Sequence, residues 1–100
     1  MIRKTREFEQ FRDKLSGNQL DNLRAHLVNA LAEGGLKHQG LTVLELGAGV
    51  KFHVYAGRDK GLEDTWLLGG HWVRRGEPSA EFLRRMRQYA ERISRGEAPE

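Results

Sequence analysis

Apolar residues recur at helical spacing through the first third of the chain. Phe8, Phe11 and Leu15 stand at i, i+3 and i+7, which predicts a short amphipathic helix over 6–15. "SGNQLD" interrupts it. Asn18 is read as the N-cap of a second helix, with Asp21 in its first turn. Leu20, Leu23, Leu27 and Leu31 then form one stripe, and "EGG" at 33–35 ends it. Two helices joined by so short a connection are expected to pack antiparallel as a hairpin.

From Leu41 the period changes to two. "LTVLELG", "KFHVYAG" and "DTWLLGG" are short runs of β-branched, leucine and aromatic residues, each closed by glycine. In the middle run Phe52, Val54 and Ala56 share one face, while Lys51, His53 and Tyr55 share the other. "GRDKGLED" is a polar turn before the last run, so the three strands form a meander. After "RRGEP", Pro78 suits the first turn of a closing helix striped by Phe82, Met86, Tyr89 and Ile93. The tail "RGEAPE" is expected to fray.

These elements predict a single α+β domain over residues 1–100. Its N-terminal helical hairpin would pack on one face of a small antiparallel sheet of three to four strands, with a C-terminal helix. Periodicity assigns Phe8, Phe11, Leu23, Leu27, Leu31, Val54, Leu68, Phe82 and Met86 to the core. A length of 100 residues supports one modest core and no inserted second unit.

Composition adds little until its distribution is considered. Lys+Arg number 17 against 14 Asp+Glu, a net charge of +3 with a pI near 9.6. Between His71 and Glu100 there are seven arginines and no lysine. Arginine is suited to bidentate contacts with phosphate and carboxylate, although a GC-rich genome produces the same bias. With no cysteine, disulfides, thiolate metal sites and thiol catalysis are excluded, which fits a cytoplasmic protein. No apolar run approaches the roughly 20 residues that cross a bilayer. "MIRKTREFEQ" lacks the apolar stretch of a secretory leader. His26, His38, His53 and His71 show no metal-ligand spacing, so neither a metal nor a cofactor is expected; His26 and His38 are read as solvent-facing.

"VLELGAG" resembles the first motif of class I S-adenosylmethionine methyltransferases. A nucleotide loop, however, needs a helix directly after its glycines. Lys51 stands at the third glycine position here, an alternating strand follows, and only 51 residues remain after Gly49. Gly47 and Gly49 are therefore read as hairpin residues.

The order helix, helix, meander, helix, with "FEQFRDKLSG" upstream, "VLELGAGVKFHVYAG" in the middle and "WLLGGHW" before the last helix, resembles the RelE/ParE toxin superfamily of bacterial toxin–antitoxin modules. In this chain that family's first strand is reduced to at most "MIRKT". His53 takes the place of an arginine common in the middle strand, and "HWVRR" replaces the lysines that often follow the double glycine.

The resemblance implies a metal-independent, ribosome-dependent messenger RNA endoribonuclease, neutralised by a cognate antitoxin. In that chemistry the 2′-hydroxyl attacks the adjacent phosphate, so a base, an acid and a cation are required. His53 would take the hydroxyl proton, with Arg75 and Tyr89 as the other catalytic candidates. Lys51, Arg58, Arg74 and His71 would contact RNA. Tyr89 also belongs to the helix stripe, so packing competes with chemistry for it. His71 and Trp72 stand at a strand end, where they either line a site or cap the sheet. Two other functions fit the same resemblance: a ParE-like toxin that binds DNA gyrase without nuclease chemistry, and a non-toxic binding module.

Overall fold

Thr5 sits where three elements meet. Its side chain is fully buried, accepts the Phe8 N–H at 3.1 Å as the N-cap of the first helix, and donates to the Leu68 carbonyl at 2.7 Å. The computed structural model describes residues 1–38, 41–47, 49–59, 61 and 64–100. The side chain of His38 and the centre of the "GRDKGLED" turn lie outside the described residues. The elements are β1 (Ile2–Lys4), α1 (Arg6–Arg12), α2 (Gly17–Glu33), β2 (Leu36–His38), β3 (Leu41–Leu46), β4 (Phe52–Arg58), β5 (Thr65–Trp72), a 3-10 turn (Val73–Arg75) and α3 (Ala80–Ser94).

The expectation of a helical hairpin on an antiparallel sheet of three to four strands is corrected. The sheet has five strands in the order β1-β5-β4-β3-β2, and it is mixed because β1 runs parallel to β5. The side chains of β1 are all exposed, so no apolar alternation announces this strand. Its backbone pairs nonetheless: Thr65 N–H donates to the Met1 carbonyl at 2.9 Å and Thr5 N–H to the Leu67 carbonyl at 3.1 Å. The short strand β2 extends the opposite edge, antiparallel to β3. The two N-terminal helices pack on the sheet separately, α1 against β5 and α2 against β3.

One face of the sheet is covered by α1 and α2. There Phe8, Phe11 and Leu23 bury against Leu44, Leu46, Phe52, Val54, Ala56 and Leu67, with Leu27 and Leu31 half-buried at the margin. The other face carries α3, whose Leu83, Met86 and Ile93 pack on Leu41, Val43, Tyr55 and Leu68; Phe82 is half-buried beside them. Each fully buried side chain of this size contributes about 1.5–3 kcal/mol.

Strand β5 contains one residue too many for its partner. Ala56 pairs with Leu67 and Tyr55 pairs with Gly69, which leaves Leu68 as a bulge. The ladder resumes with Val54 opposite Gly70, His53 opposite His71 and Phe52 opposite Trp72. A side chain at Gly70 would collide with the ring of Phe11, so α1 lies close on this strand.

Local signals differ from the expected ones at three boundaries. Helix α2 is capped by Ser16, in a reciprocal capping box with Gln19, so Asn18 already lies inside the helix. Ser79 caps α3 and leaves Pro78 just outside it. The tail is docked: Pro99 is buried, and Glu100 accepts the Arg6 backbone N–H at 2.6 Å. Gly47 and Gly49 do lie in the turn between antiparallel β3 and β4, with φ of 120° and 86°. At such angles glycine avoids the strain that a side chain would introduce.

Because Thr5 both caps α1 and satisfies the bulge carbonyl, Thr5→Val keeps the shape and removes both hydrogen bonds. A loss of about 1–3 kcal/mol is expected in urea unfolding at pH 7. An unchanged midpoint and slope would show that neither bond matters.

Candidate active site

The ladder across β3, β4 and β5 places Glu45, His53 and His71 directly opposite one another on three adjacent strands. Neighbouring positions of this kind bring Cβ atoms to about 4.5–5.5 Å, so the three side chains form a row on the α3 side of the sheet. Two of the three contacts in and around this row fix imidazole geometry. His53 Nε2 lies 3.2 Å from Glu45 Oε2, and His71 Nε2 lies 2.8 Å from the Gly76 carbonyl oxygen. A carboxylate and a carbonyl only accept, so each Nε2 carries the hydrogen and each neutral ring keeps its lone pair on Nδ1.

Glu45 has a second partner. Lys51 Nζ donates to its other oxygen at 3.2 Å. The hydrogen bond from His53, then the hydrogen bond and charge of Lys51, hold the Glu45 carboxyl below the usual carboxylate range. Glu45 was not among the candidates from sequence, although it is the one charged residue in the run "LTVLEL". It lies on the Leu41 and Val43 side of β3, beyond the point where buried neighbours cover that face.

His53 and His71 both line a cleft of about 400 Å³, with Tyr55 and Val43 on the sheet, Leu36 on β2, and Glu77 on the loop before α3. Tyr55 is buried there, with its ring edge-on to Phe82 at 5.3 Å between centroids. Burial, and secondarily the charge of Glu77, push the Tyr55 hydroxyl above its ordinary pKa. The 3-10 turn that carries Arg74 and Arg75 leads directly into Gly76 and the cleft wall. Arg75 is exposed and makes no ion pair among the described residues. Arg74 stacks over Trp72 at 5.6 Å, and Trp72 packs with Phe11 and Phe52 on the opposite face.

Of the residues singled out from sequence, His53 and His71 thus come together at the cleft, with Arg75 and Arg74 close in sequence to its wall; Lys51 is tied to Glu45 and lines a different hollow with Asn22 and His26. Arg58 and Tyr89 stand elsewhere. Arg58 ends β4 on the α2 side, in a separate cleft with Leu31, Gly34 and Lys37. Tyr89 donates to Glu7 Oε1 at 2.9 Å, and the same carboxylate takes a two-pronged contact from Arg85 at 3.1 and 3.0 Å. This cluster links α1 to α3 beside Gly70. His26 is exposed on α2.

No family model matches the chain, and no curated protein matches it in sequence.

Burial first, then the hydrogen bond to Glu7 and its charge, push the Tyr89 hydroxyl up to about 12. The chain has two tyrosines, and Tyr55 is also raised. A phenol whose folded value exceeds its unfolded value stabilises the fold fully below the unfolded pKa of about 10 and loses that contribution as pH rises through the folded value. Absorbance titration at 295 nm should therefore show little phenolate at pH 10 in the folded protein. Stability should fall between roughly pH 10 and 12. Ordinary titration of either tyrosine near pH 10 in folded protein would contradict the contacts described.

Proposed function

We propose that the chain is the toxin of a toxin–antitoxin module and cuts messenger RNA on the ribosome by metal-independent transphosphorylation in the cleft of His53 and His71. One observation carries the reading: two histidines stand opposite each other on neighbouring strands, each with Nε2–H committed to a fixed acceptor, at the wall of one cleft. RNA supplies its own nucleophile in the 2′-hydroxyl. What a protein must add is a proton acceptor, a proton donor and positive charge for the oxygens of the phosphate at the transition state. Two imidazoles suit the first two tasks near neutral pH. Arg75, exposed on the turn that leads into the cleft wall, supplies the third. The biological half of the reading depends on the resemblance of "FEQFRDKLSG", "VLELGAGVKFHVYAG" and "WLLGGHW" to that toxin superfamily.

An antitoxin follows from the same reading. A partner segment that folds across the cleft and meets the exposed Arg74 and Arg75 of the adjoining turn would neutralise the toxin. Co-expression with the product of an adjacent gene should give a complex stable to gel filtration. Recovery of free, growth-neutral protein would count against a toxin.

Cleavage itself is tested by primer extension on messenger RNA from expressing cells and from purified ribosomes. Wild type should give defined stops, and His53→Ala or His71→Ala should slow them by about 10²–10⁴. Arg75→Ala should also slow them, whereas Tyr89→Phe should stay near wild type because Tyr89 serves the Glu7 contact. Growth arrest with intact transcripts would overturn nuclease action in favour of a gyrase-type target. Absence of both would overturn the toxin.

A further inference from the structure

The two histidines are not equivalent, and the difference lies in what holds them. His53 Nε2–H faces a carboxylate at 3.2 Å, whereas His71 Nε2–H faces a neutral backbone carbonyl at 2.8 Å. A carboxylate holds an imidazolium through a charge-assisted hydrogen bond, whereas a backbone carbonyl is a neutral acceptor. Two imidazoles held by acceptors of different charge are placed to take different tasks in one site. The donor must enter the reaction protonated and the acceptor must enter it neutral.

We propose that Glu45 is a positioning residue that makes His53 the proton donor of the cleavage step, leaving His71 as the proton acceptor. This rests on the RNA-cleavage reading above, and it reverses the role that the sequence suggested for His53. Lys51 occupies the other oxygen of Glu45 and shares its charge, but the direct contact to the ring belongs to His53. Glu45 does not line the cleft; it stands on the far side of His53, where it orients the ring without touching the substrate.

The step balances with these groups alone. Nδ1 of neutral His71 takes the 2′-hydroxyl proton as O2′ forms its bond to phosphorus. The bond from phosphorus to O5′ breaks, and O5′ keeps the electron pair and takes the Nδ1 proton of the His53 imidazolium. The products are a 2′,3′-cyclic phosphate and a free 5′-hydroxyl. His71 is left protonated and His53 neutral, and exchange with solvent resets both.

A leaving group that needs no proton separates the roles. Ribosomes programmed with a short messenger carrying one 5′-bridging sulfur at the cleavage site would be compared with the all-oxygen messenger. On oxygen, His53→Ala and His71→Ala should each lose about 10²–10⁴ in rate, and Glu45→Gln should lose less. On sulfur, His53→Ala and Glu45→Gln should return to near wild type while His71→Ala stays slow. Rescue of His71→Ala alone, or a Glu45→Gln rate equal to wild type on oxygen, would overturn the assignment. Nitrogen–proton correlation spectra of the intact protein give a readout independent of cleavage. His53 should be the Nε2–H tautomer when neutral, and should become a tautomer mixture in Glu45→Ala with the other resonances in place. If wild type cuts neither messenger, the nuclease reading falls and the donor role with it. An unchanged His53 tautomer in Glu45→Ala would sink the positioning role itself.

Discussion

A single extra residue in β5 decides which side chains meet. Strand side chains alternate between faces, so an insertion of one inverts everything beyond it. Leu67 faces α1, and without a bulge His71 would face α1 as well. Because Leu68 is looped out of the ladder, Leu68 and Gly69 both face α3. Gly70 then faces Phe11, His71 joins His53, and Trp72 enters the cluster with Phe11 and Phe52 at 5.3 and 5.8 Å. The bulge thus sets both the aromatic core at one end of the sheet and the histidine pair on its other side.

A bulge leaves a backbone group without a ladder partner, and a buried carbonyl in that state is costly. Here the Thr5 hydroxyl meets the Leu68 carbonyl, using the residue that also starts α1. Strand β1, the bulge and the first helix are consequently one arrangement. The Arg85–Glu7–Tyr89 contacts and the docked Glu100 tie the same helix to α3 and to the C-terminal tail. In this frame Tyr89 acts as a strut between helices, and its polar tip is satisfied within the protein.

How much of this could be read beforehand depended on where side chains reported their surroundings. Leucine and phenylalanine stripes placed α1, α2 and α3, and alternation in "KFHVYAG" placed Phe52 and Val54 against His53 and Tyr55. Three features carried no such signal. Strand β1 exposes every side chain, so only its backbone pairing defines it. Strand β2 is three residues long with an exposed leucine. The bulge is followed by Gly69 and Gly70, and residues without side chains cannot show on which face the strand resumes. For that reason His71 was legible as a strand-end residue but not as the neighbour of His53. Glu45 was hidden differently: a lone acid in an apolar strand gains meaning only when Lys51 and His53 are seen to share it.

The position of the cleft follows from where α3 begins. Leu83, Met86 and Ile93 cover the middle of their face of the sheet, but the row Glu45, His53 and His71 lies beyond the covered region. Between Trp72 and Ser79 the chain turns through Gly76, whose φ of 81° suits glycine, before the helix is capped by Ser79. That turn lines the cleft with Val73, Gly76, Glu77 and Pro78 and supplies the carbonyl that holds His71. One connection therefore shapes the opening and orients one imidazole. The other imidazole is held independently, by a carboxylate on β3. Substitutions at Gly76 should act through His71, whereas those at Glu45 act through His53, because the two tethers share no atom.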